Sequence, residues 1–415
     1  MTNKPINKTF LIILLGILAA LGPFTIDMYL PGFKRIAEDF GTDEKQVAFT
    51  LTSYFVGIAV GQLIYGPIVD KYGRKKPLLV GLFIYILAAI GCALSPNIET
   101  MIGMRLLQAL GGCVGMVASN AIISDVYEKD KRAKAFSSIM LVMGVAPLIA
   151  PSFGSLLLKE ADWEYIFYFL AIFSTIVAAL IYFLLPETSR YMHSNKLKVK
   201  KISKDYWKIL QNKTFLFYTL AGSLSMSILF AYVSSAAFVF LTIHKLDQTT
   251  FSLLFAINAS GLISGSYING ILTKYFNYIK IAKVASWVLS LVAIGILIAI
   301  NFHSDLHYYW IVAGIFSILF LIGFVNPNAT AASLAPFTDN SGAASALGGA
   351  IRMGIGAMVA AVIGIFQGDS SNTLFVTIFI LAFLVMLLLS IAPVIAKRKA
   401  RKKTEKEDLN RHIAM

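Results

Sequence analysis

Three ionisable side chains fall well inside long apolar stretches of the chain: Asp27, Arg105 and Arg352. Charge held away from water is costly, so such residues face a bundle interior or a water-filled path and commonly mark ion or substrate routes. A carboxyl balanced between burial and a neighbouring cation can load and release a proton. Asp27 lies about five residues below the end of one apolar stretch, and Arg105 a similar distance into another that runs the opposite way; at 1.5 Å per residue both sit roughly 7–8 Å deep. The two are expected to pair as a proton-coupling unit, with a static ion pair between helices as the alternative. Helical spacing puts Asp27 on one face with Ala20, Phe24 and Pro31, and Arg105 on another with Gln108, Gly112 and Ser119. Arg352 has no acid at its depth. Backbone carbonyls or Asn258 are its candidate partners, and a structural and a functional role stay equally open. All five His lie outside the apolar stretches, which excludes a His relay. Cys92 and Cys113 both lie in apolar segments, so no disulfide framework, metal site or redox chemistry is expected, and no cofactor.

A second constellation sits in the stretch 61–81, GQLIYGPIVDKYGRKKPLLVG. An apolar helix enters it and another leaves it, with Asp70, Lys71, Gly73, Arg74, Lys75 and Lys76 in the turn between. Gly73 suits a turn that needs positive φ, Gly66 would let another helix approach closely, and Pro77 restarts the next helix where its missing N–H costs little. Asp70 needs a partner at its helix end, such as Arg74 or the positive N-terminus of another helix. An ordinary basic loop facing the cytoplasm explains the cations but not Gly66, Asp70 and Gly73 at these spacings. The spacing Gly66, Asp70, Gly73, Arg74, Lys75 resembles the loop 2–3 signature of the major facilitator superfamily, Gly-x-x-x-Asp-x-x-Gly-Arg-Lys/Arg. The resemblance implies a gating role for Gly66, Asp70, Gly73 and Arg74.

The elements that must position these residues are membrane helices. Of 415 residues 57% are hydrophobic and 14% charged, where a soluble domain is nearer a quarter charged. Spans are expected at 9–32, 46–69, 77–95, 100–124, 134–158 and 163–185, then 214–242, 248–272, 281–301, 307–332, 341–366 and 372–396. The expected fold is an all-α membrane protein, twelve transmembrane helices in two six-helix bundles. It divides into 1–185, a polar cytoplasmic linker 186–213, the second bundle 214–396 and a basic tail 397–415. Lys4 and Lys8 before the run from Phe10 mimic a signal peptide, but the many spans that follow favour an uncleaved first helix. Most of the 36 Lys and Arg fall on one side of this arrangement; only Lys34, Arg35, Lys45, Lys159 and Lys245 fall on the other. That bias places both termini in the cytoplasm. The net charge of +14 therefore reflects membrane orientation and contact with lipid, not nucleic-acid binding.

Helix five carries Gly144, Pro147, Ala150, Pro151 and Gly154. The superfamily's antiporter motif there reads Gly-Pro-x-x-Gly-Gly, whereas this chain has Ala150-Pro151-Ser152-Phe153-Gly154-Ser155; a Pro-kinked packing helix is an equal reading. With Asp27-Met28-Tyr29-Leu30-Pro31, the run 61–67, Arg105-Leu-Leu-Gln108 and Ala146-Pro-Leu-Ile-Ala-Pro151, the chain resembles the Bcr/CflA drug-resistance transporters along its whole length. The resemblance implies a proton-driven multidrug exporter of a bacterial inner membrane, a monomer, with helices one, four, seven and ten lining a central cavity. Relatives' substrates include bicyclomycin, sulfonamides, chloramphenicol-type drugs and cysteine. A second acid that some drug–proton antiporters carry about two turns before the aspartate is Ala19 here. Candidate substrate-binding residues are Phe24, Tyr29, Tyr54, Tyr65, Gln108, Met116 and Phe230, although aromatics are as much at home in the core or against lipid. The alternative function is proton-coupled import or export of one specific metabolite. A membrane enzyme would need paired acids or a His or Cys set inside the spans, and a channel would need a charge ring or filter loop; the sequence has neither.

Overall fold

The computed structural model describes residues 8–127, 129–189, 199–302, 307–337, 341–366 and 372–413; for 124, 129–144, 199–201, 341 and 393–413 it describes the main chain alone. Its elements run α1 (Lys8–Asp27), a single 3-10 turn (Leu30–Gly32), α2 (Phe33–Asp39), α3 (Glu44–Tyr72), α4 (Lys75–Ala93), α5 (Ile98–Val126), α6 (Lys129–Glu160) and α7 (Glu164–Leu184). The second half runs α8 (Val199–Leu210), α9 (Lys213–Ala237) with a wide-turned extension (Phe238–Ile243), α10 (Gln248–Leu272), α11 (Tyr278–Phe302), α12 (Tyr308–Leu334), α13 (Ser341–Phe366) and α14 (Asn372–Ile413). Eleven of these segments are long and apolar enough to cross a bilayer. The remaining expected span, 134–158, falls in α6, a helix of 32 residues. The structure is thus the expected all-helical membrane fold, with no strand among the described residues.

Helix starts are set by side chains that take up backbone N–H groups left without intrahelical partners. Asp43, Asn97, Asn212 and Asp247 each accept from the first turn of the helix that follows, at 2.8–3.2 Å. Thr250 adds its hydroxyl to Asp247, and these bonds hold the Asp247 carboxyl below the usual carboxylate range. Gly73 joins α3 to α4 at φ +85°, as its place in the turn requires.

Helices α1 and α3–α7 pack on one another, as do α9–α14, and the halves meet along α3 against α13 and α6 against α10. Close approach is made at glycine. A methyl group on Gly57 would sit 2.6 Å from the Ala109 Cβ of α5, and one on Gly61 would sit 2.9 Å from Cys113. Gly66 does not share that role: among the described residues, nothing lies within 4 Å of its missing side chain. Five residues beyond Gly61, it is turned roughly 140° around the helix and faces away from α5. Across the halves, Gly349 of α13 receives the Gln62 amide of α3; within the second half, Gly356 receives the Phe230 ring of α9.

The two ends of the bundle differ. Among the described residues, the hydrogen bonds that join the halves all lie at the end carrying Asp247. The Ser155 and Ser252 hydroxyls meet at 2.5 Å, Gln248 Nε2 donates to the Pro31 carbonyl at 3.3 Å, and Thr242 donates to Glu44 at 2.6 Å. A basic vestibule of about 710 Å³ opens there, lined by Lys34, Arg35, Lys159 and Lys245 among others. At the end carrying Arg74, α8 lays Ile209 beside Phe215, Ala344 and Leu347, with Leu63 of α3 against the same cluster. The linker therefore contains a helix, where only a polar stretch was expected. Its apolar spacing at Ile202, Tyr206, Ile209 and Leu210 was available in the sequence.

Candidate functional site

Asp27 is the last residue of α1, not five residues below its end, because the chain turns through Pro31 and restarts as α2. It is 5% exposed, and no hydrogen bond or ion pair reaches its carboxylate among the described residues. Tyr232 of α9, in the other half, lies within electrostatic reach. The Tyr232 hydroxyl accepts a 3.0 Å hydrogen bond from Asn258 Nδ2 of α10, and the Asn258 carbonyl oxygen is buried with no partner. Gly154 of α6 packs directly on the Met28 carbonyl, so the turn after Asp27 is clamped against α6.

The expected Asp27–Arg105 pair does not form. Arg105 is fully buried and takes other partners: Nη2 donates to the Thr25 carbonyl at 3.2 Å and Nη1 to Gln108 Oε1 at 2.8 Å. Its guanidinium lies 4.4 Å from the Tyr29 ring centroid and 4.5 Å from that of Tyr54. The reason is the early end of α1. The Phe24 carbonyl still takes the Met28 N–H, but that of Thr25 is left for Arg105, and a cation at that negative helix end, flanked by two aromatic faces, needs no carboxylate. Equal depth, the basis of the expected pairing, does not fix the direction in which either side chain points.

This arrangement also sorts the substrate-binding candidates. Tyr29, Tyr54 and Gln108 are the buried walls of the Arg105 cage; the Tyr29 hydroxyl meets Thr50 at 2.8 Å, and Gln108 is engaged through Oε1, its Nε2 having no partner. Phe24 belongs to a ring ladder through Phe173, Phe169 and Phe153, within the first half. Met116 and Phe230 do lie where the halves meet. Gln62 Nε2 approaches the Met116 sulfur at 3.9 Å, and the Phe230 ring packs tilted against that of Phe55 at 4.4 Å between centroids. Sequence reasoning passed over Tyr232 as a site residue and named Asn258 only as a partner for Arg352. Arg352 instead donates from Nη2 to the Thr330 hydroxyl of α12 at 2.8 Å.

The turn between α3 and α4 is a charge cluster. Arg74 donates to Asp125 of α5 at 2.8 and 3.3 Å, to Asp70 at 2.9 Å and to the Val69 carbonyl at 2.8 Å. Burial works against the Arg74 charge, but the hydrogen bond and charge of Asp125, with Asp70 behind them, outweigh it and hold the guanidinium above its ordinary value. Among the described residues, the hydrogen-bond partner of Asp70 is thus Arg74; residues 338–340, which lead into α13, lie outside those described. The N-terminus of α4 is taken by a residue not foreseen, Glu187, which accepts from the backbone N–H of Arg74 at 2.8 Å and of Lys75 at 3.1 Å. Pro186-Glu187-Thr188 directly after a membrane helix was the available signal. The Arg74–Asp125 pair is largely shielded, with side chains 12% and 17% exposed, whereas Asp70 is 72% exposed. Asp125→Asn is therefore expected to lower stability by about 2 kcal/mol and Asp70→Asn by less than about 1 kcal/mol. Thermal melts of the two purified variants check this, and the reverse order would contradict the assignment.

The model of the Major Facilitator Superfamily matches residues 13–361. The chain is 30% identical over 375 residues to a bicyclomycin resistance protein homolog of Haemophilus influenzae, covering 89% of this chain and 93% of that protein. It is 29% identical over 355 residues to the multidrug resistance protein MdtL of Escherichia coli, covering 84% and 87%. Among solved structures, it superposes on a bacterial homolog of the human lysosomal transporter Spinster, in an inward-facing and occupied conformation. That match has TM-score 0.71 and 13% identity, and covers 95% of this chain and 98% of that one.

Proposed function

The chain belongs to the Major Facilitator Superfamily, and within it to the Bcr/CflA drug-resistance family; on that premise we propose that it is a proton-coupled antiporter exporting small amphipathic drugs or metabolites. The observation that carries the coupling is Asp27, a buried carboxylate without a partner at the end of α1, within electrostatic reach of Tyr232 in the other half. An isolated charge at that place is costly, so a proton or a cationic group of the cargo that neutralises it binds there in competition. Arg105 then acts on this site by fixing the end of α1, not by exchanging charge with Asp27. Access alternates as the halves rock. The hydrogen bonds at the Asp247 end would close the outer face while the Arg74 end opens to the cytoplasm, and Asp70, Gly73, Arg74, Asp125 and Glu187 would order that inner end when the halves rock back. In this reading the protein is a monomer of the bacterial inner membrane with both termini and the 186–213 linker in the cytoplasm. Its first half is 1–185, its second 214–396, and 397–415 is a lipid-contacting tail.

One observation favours the alternative, transport of a single metabolite. At the helix-five motif, Ser155 replaces a glycine and is bonded across the halves to Ser252. A drug-susceptibility panel in an efflux-deficient host, with counterflow in inside-out vesicles, tests the proposal. Resistance to several unrelated amphipathic drugs and energy-dependent uptake into the vesicles are expected. An unchanged panel with uptake of one metabolite would replace multidrug export by the alternative.

A further inference from the structure

The second cation of the membrane interior has no counterpart to the cage of Arg105. Arg352 lies in α13, and helices α9–α13 and α14 as far as Ala392 contain no Asp or Glu. No ion pair and no aromatic face answers its charge among the described residues. Its Nη2 is anchored on the Thr330 hydroxyl, which in turn donates to the Asn326 carbonyl at 2.9 Å, so the guanidinium is held in place without being neutralised. Its Nε–H is shut off from solvent and has no acceptor.

Orphaned hydroxyls stand on the neighbouring helix. Thr219 Oγ1 and Ser223 Oγ of α9, one turn apart, are buried and without partners. Two contacts bring that turn to the level of Arg352. The missing side chain of Gly348, one turn before Arg352, is 3.9 Å from Thr219 Cγ2. The missing side chain of Gly222 is 4.0 Å from the Thr330 Oγ1 that holds Arg352. Arg352 and Thr330 both keep part of their surface accessible. A guanidinium with an unused N–H, beside two unused hydroxyls and far from any carboxylate, is a donor-rich site lacking its acceptor. Such a fork suits a carboxylate, and charge-assisted hydrogen bonds to it are about twice as strong as neutral ones.

We propose that Arg352, held by Thr330 and flanked by Thr219 and Ser223, is an anion subsite in the second half that receives a carboxylate or similar anionic group of the transported molecule. The proposal rests on the transport reading only in calling that molecule cargo. It makes the cargo an amphipathic acid or zwitterion, with its anionic group in the second half and the rest directed toward the interface with the first.

The test is isothermal titration of the purified full-length protein with nalidixate and with its primary amide, which share one shape and differ in charge. Wild type is expected to bind the carboxylate about tenfold or more tighter than the amide. Arg352→Gln should weaken carboxylate binding about 10–100-fold, leave amide binding within about twofold and so erase the preference. Arg352→Lys, which keeps the charge but not the fork, should fall between. No preference in wild type, or an undiminished preference in Arg352→Gln, overturns the proposal. A lowered melting temperature with binding unchanged does so too, since it makes Arg352 a tie to α12. If Arg352→Gln fails to fold, Arg352→Lys and Ser223→Ala decide, and an unchanged preference in both overturns it. No ion gradient enters the titration, so a protein that binds the carboxylate selectively but fails the susceptibility panel would lose the efflux reading and keep the subsite.

Discussion

Asp27→Asn is expected to reduce drug resistance in an efflux-deficient host to the level of the empty vector at equal expression. The amide keeps the size and polarity of the side chain but cannot titrate, so the exchange of proton for cargo is lost. Binding of an uncharged drug to the purified variant should change by less than about tenfold, because no hydrogen bond of Asp27 is removed with the charge. A shift between two conformational states needs a ligand that binds them differently, and the proton at Asp27 is that ligand in this account. Asp27→Glu would keep the titration but push a longer side chain toward Tyr232, and is expected to retain part of the activity. Resistance unchanged in Asp27→Asn would move the coupling group elsewhere.

Gly154→Ala is expected to have the second large effect. The added methyl would collide with the Met28 carbonyl, a backbone atom of the turn that directly follows Asp27, and with no flexible side chain to yield. Forcing α6 off that turn should cost about 3 kcal/mol or more and abolish transport even where the protein still reaches the membrane. Gly66→Ala is the control: no described residue lies within 4 Å of the added methyl, so the melt and the resistance should match wild type. Size-exclusion profiles, thermal melts and resistance of the two variants check the contrast. A tolerated Gly154→Ala would show that α6 is not clamped at this turn.

The contrast between these two glycines shows what could be read in the sequence and what could not. Apolar length gave the helices, because a bilayer leaves the backbone few choices. The motif residues Asp70, Gly73 and Arg74 could be read because the turn brings together residues close in the chain, and Arg74 does bond Asp70 while Gly73 takes positive φ. The long-range partners were hidden. Asp125 and Glu187 reach Arg74 and its backbone from more than 50 and 110 positions away. Gly66 matched a motif, but the helix faces that touch are set by Gly57 and Gly61. Asp27 and Arg105 matched in depth and in charge, yet the last turn of α1 offered Arg105 the Thr25 carbonyl and the faces of Tyr29 and Tyr54 instead. Depth is a one-dimensional quantity; pairing across helices also needs the azimuth, which the pattern of neighbouring residues did not determine. Phe24, Tyr29 and Tyr54 show the same limit, since an aromatic on a polar face lined the Arg105 cage or a ring ladder as readily as a cavity.

The central claim, that Asp27 exchanges a proton for cargo, is tested most directly by drug-induced proton release from inside-out vesicles loaded with acid. Wild type and Asp27→Asn are compared at equal expression, with a pH-sensitive dye reporting the lumen. Adding drug to wild-type vesicles should release protons at once, and adding it to Asp27→Asn vesicles should release none beyond the empty-vector leak. Proton release from Asp27→Asn at the wild-type rate would contradict the account and leave Asp27 as a buried end of α1 with no part in coupling.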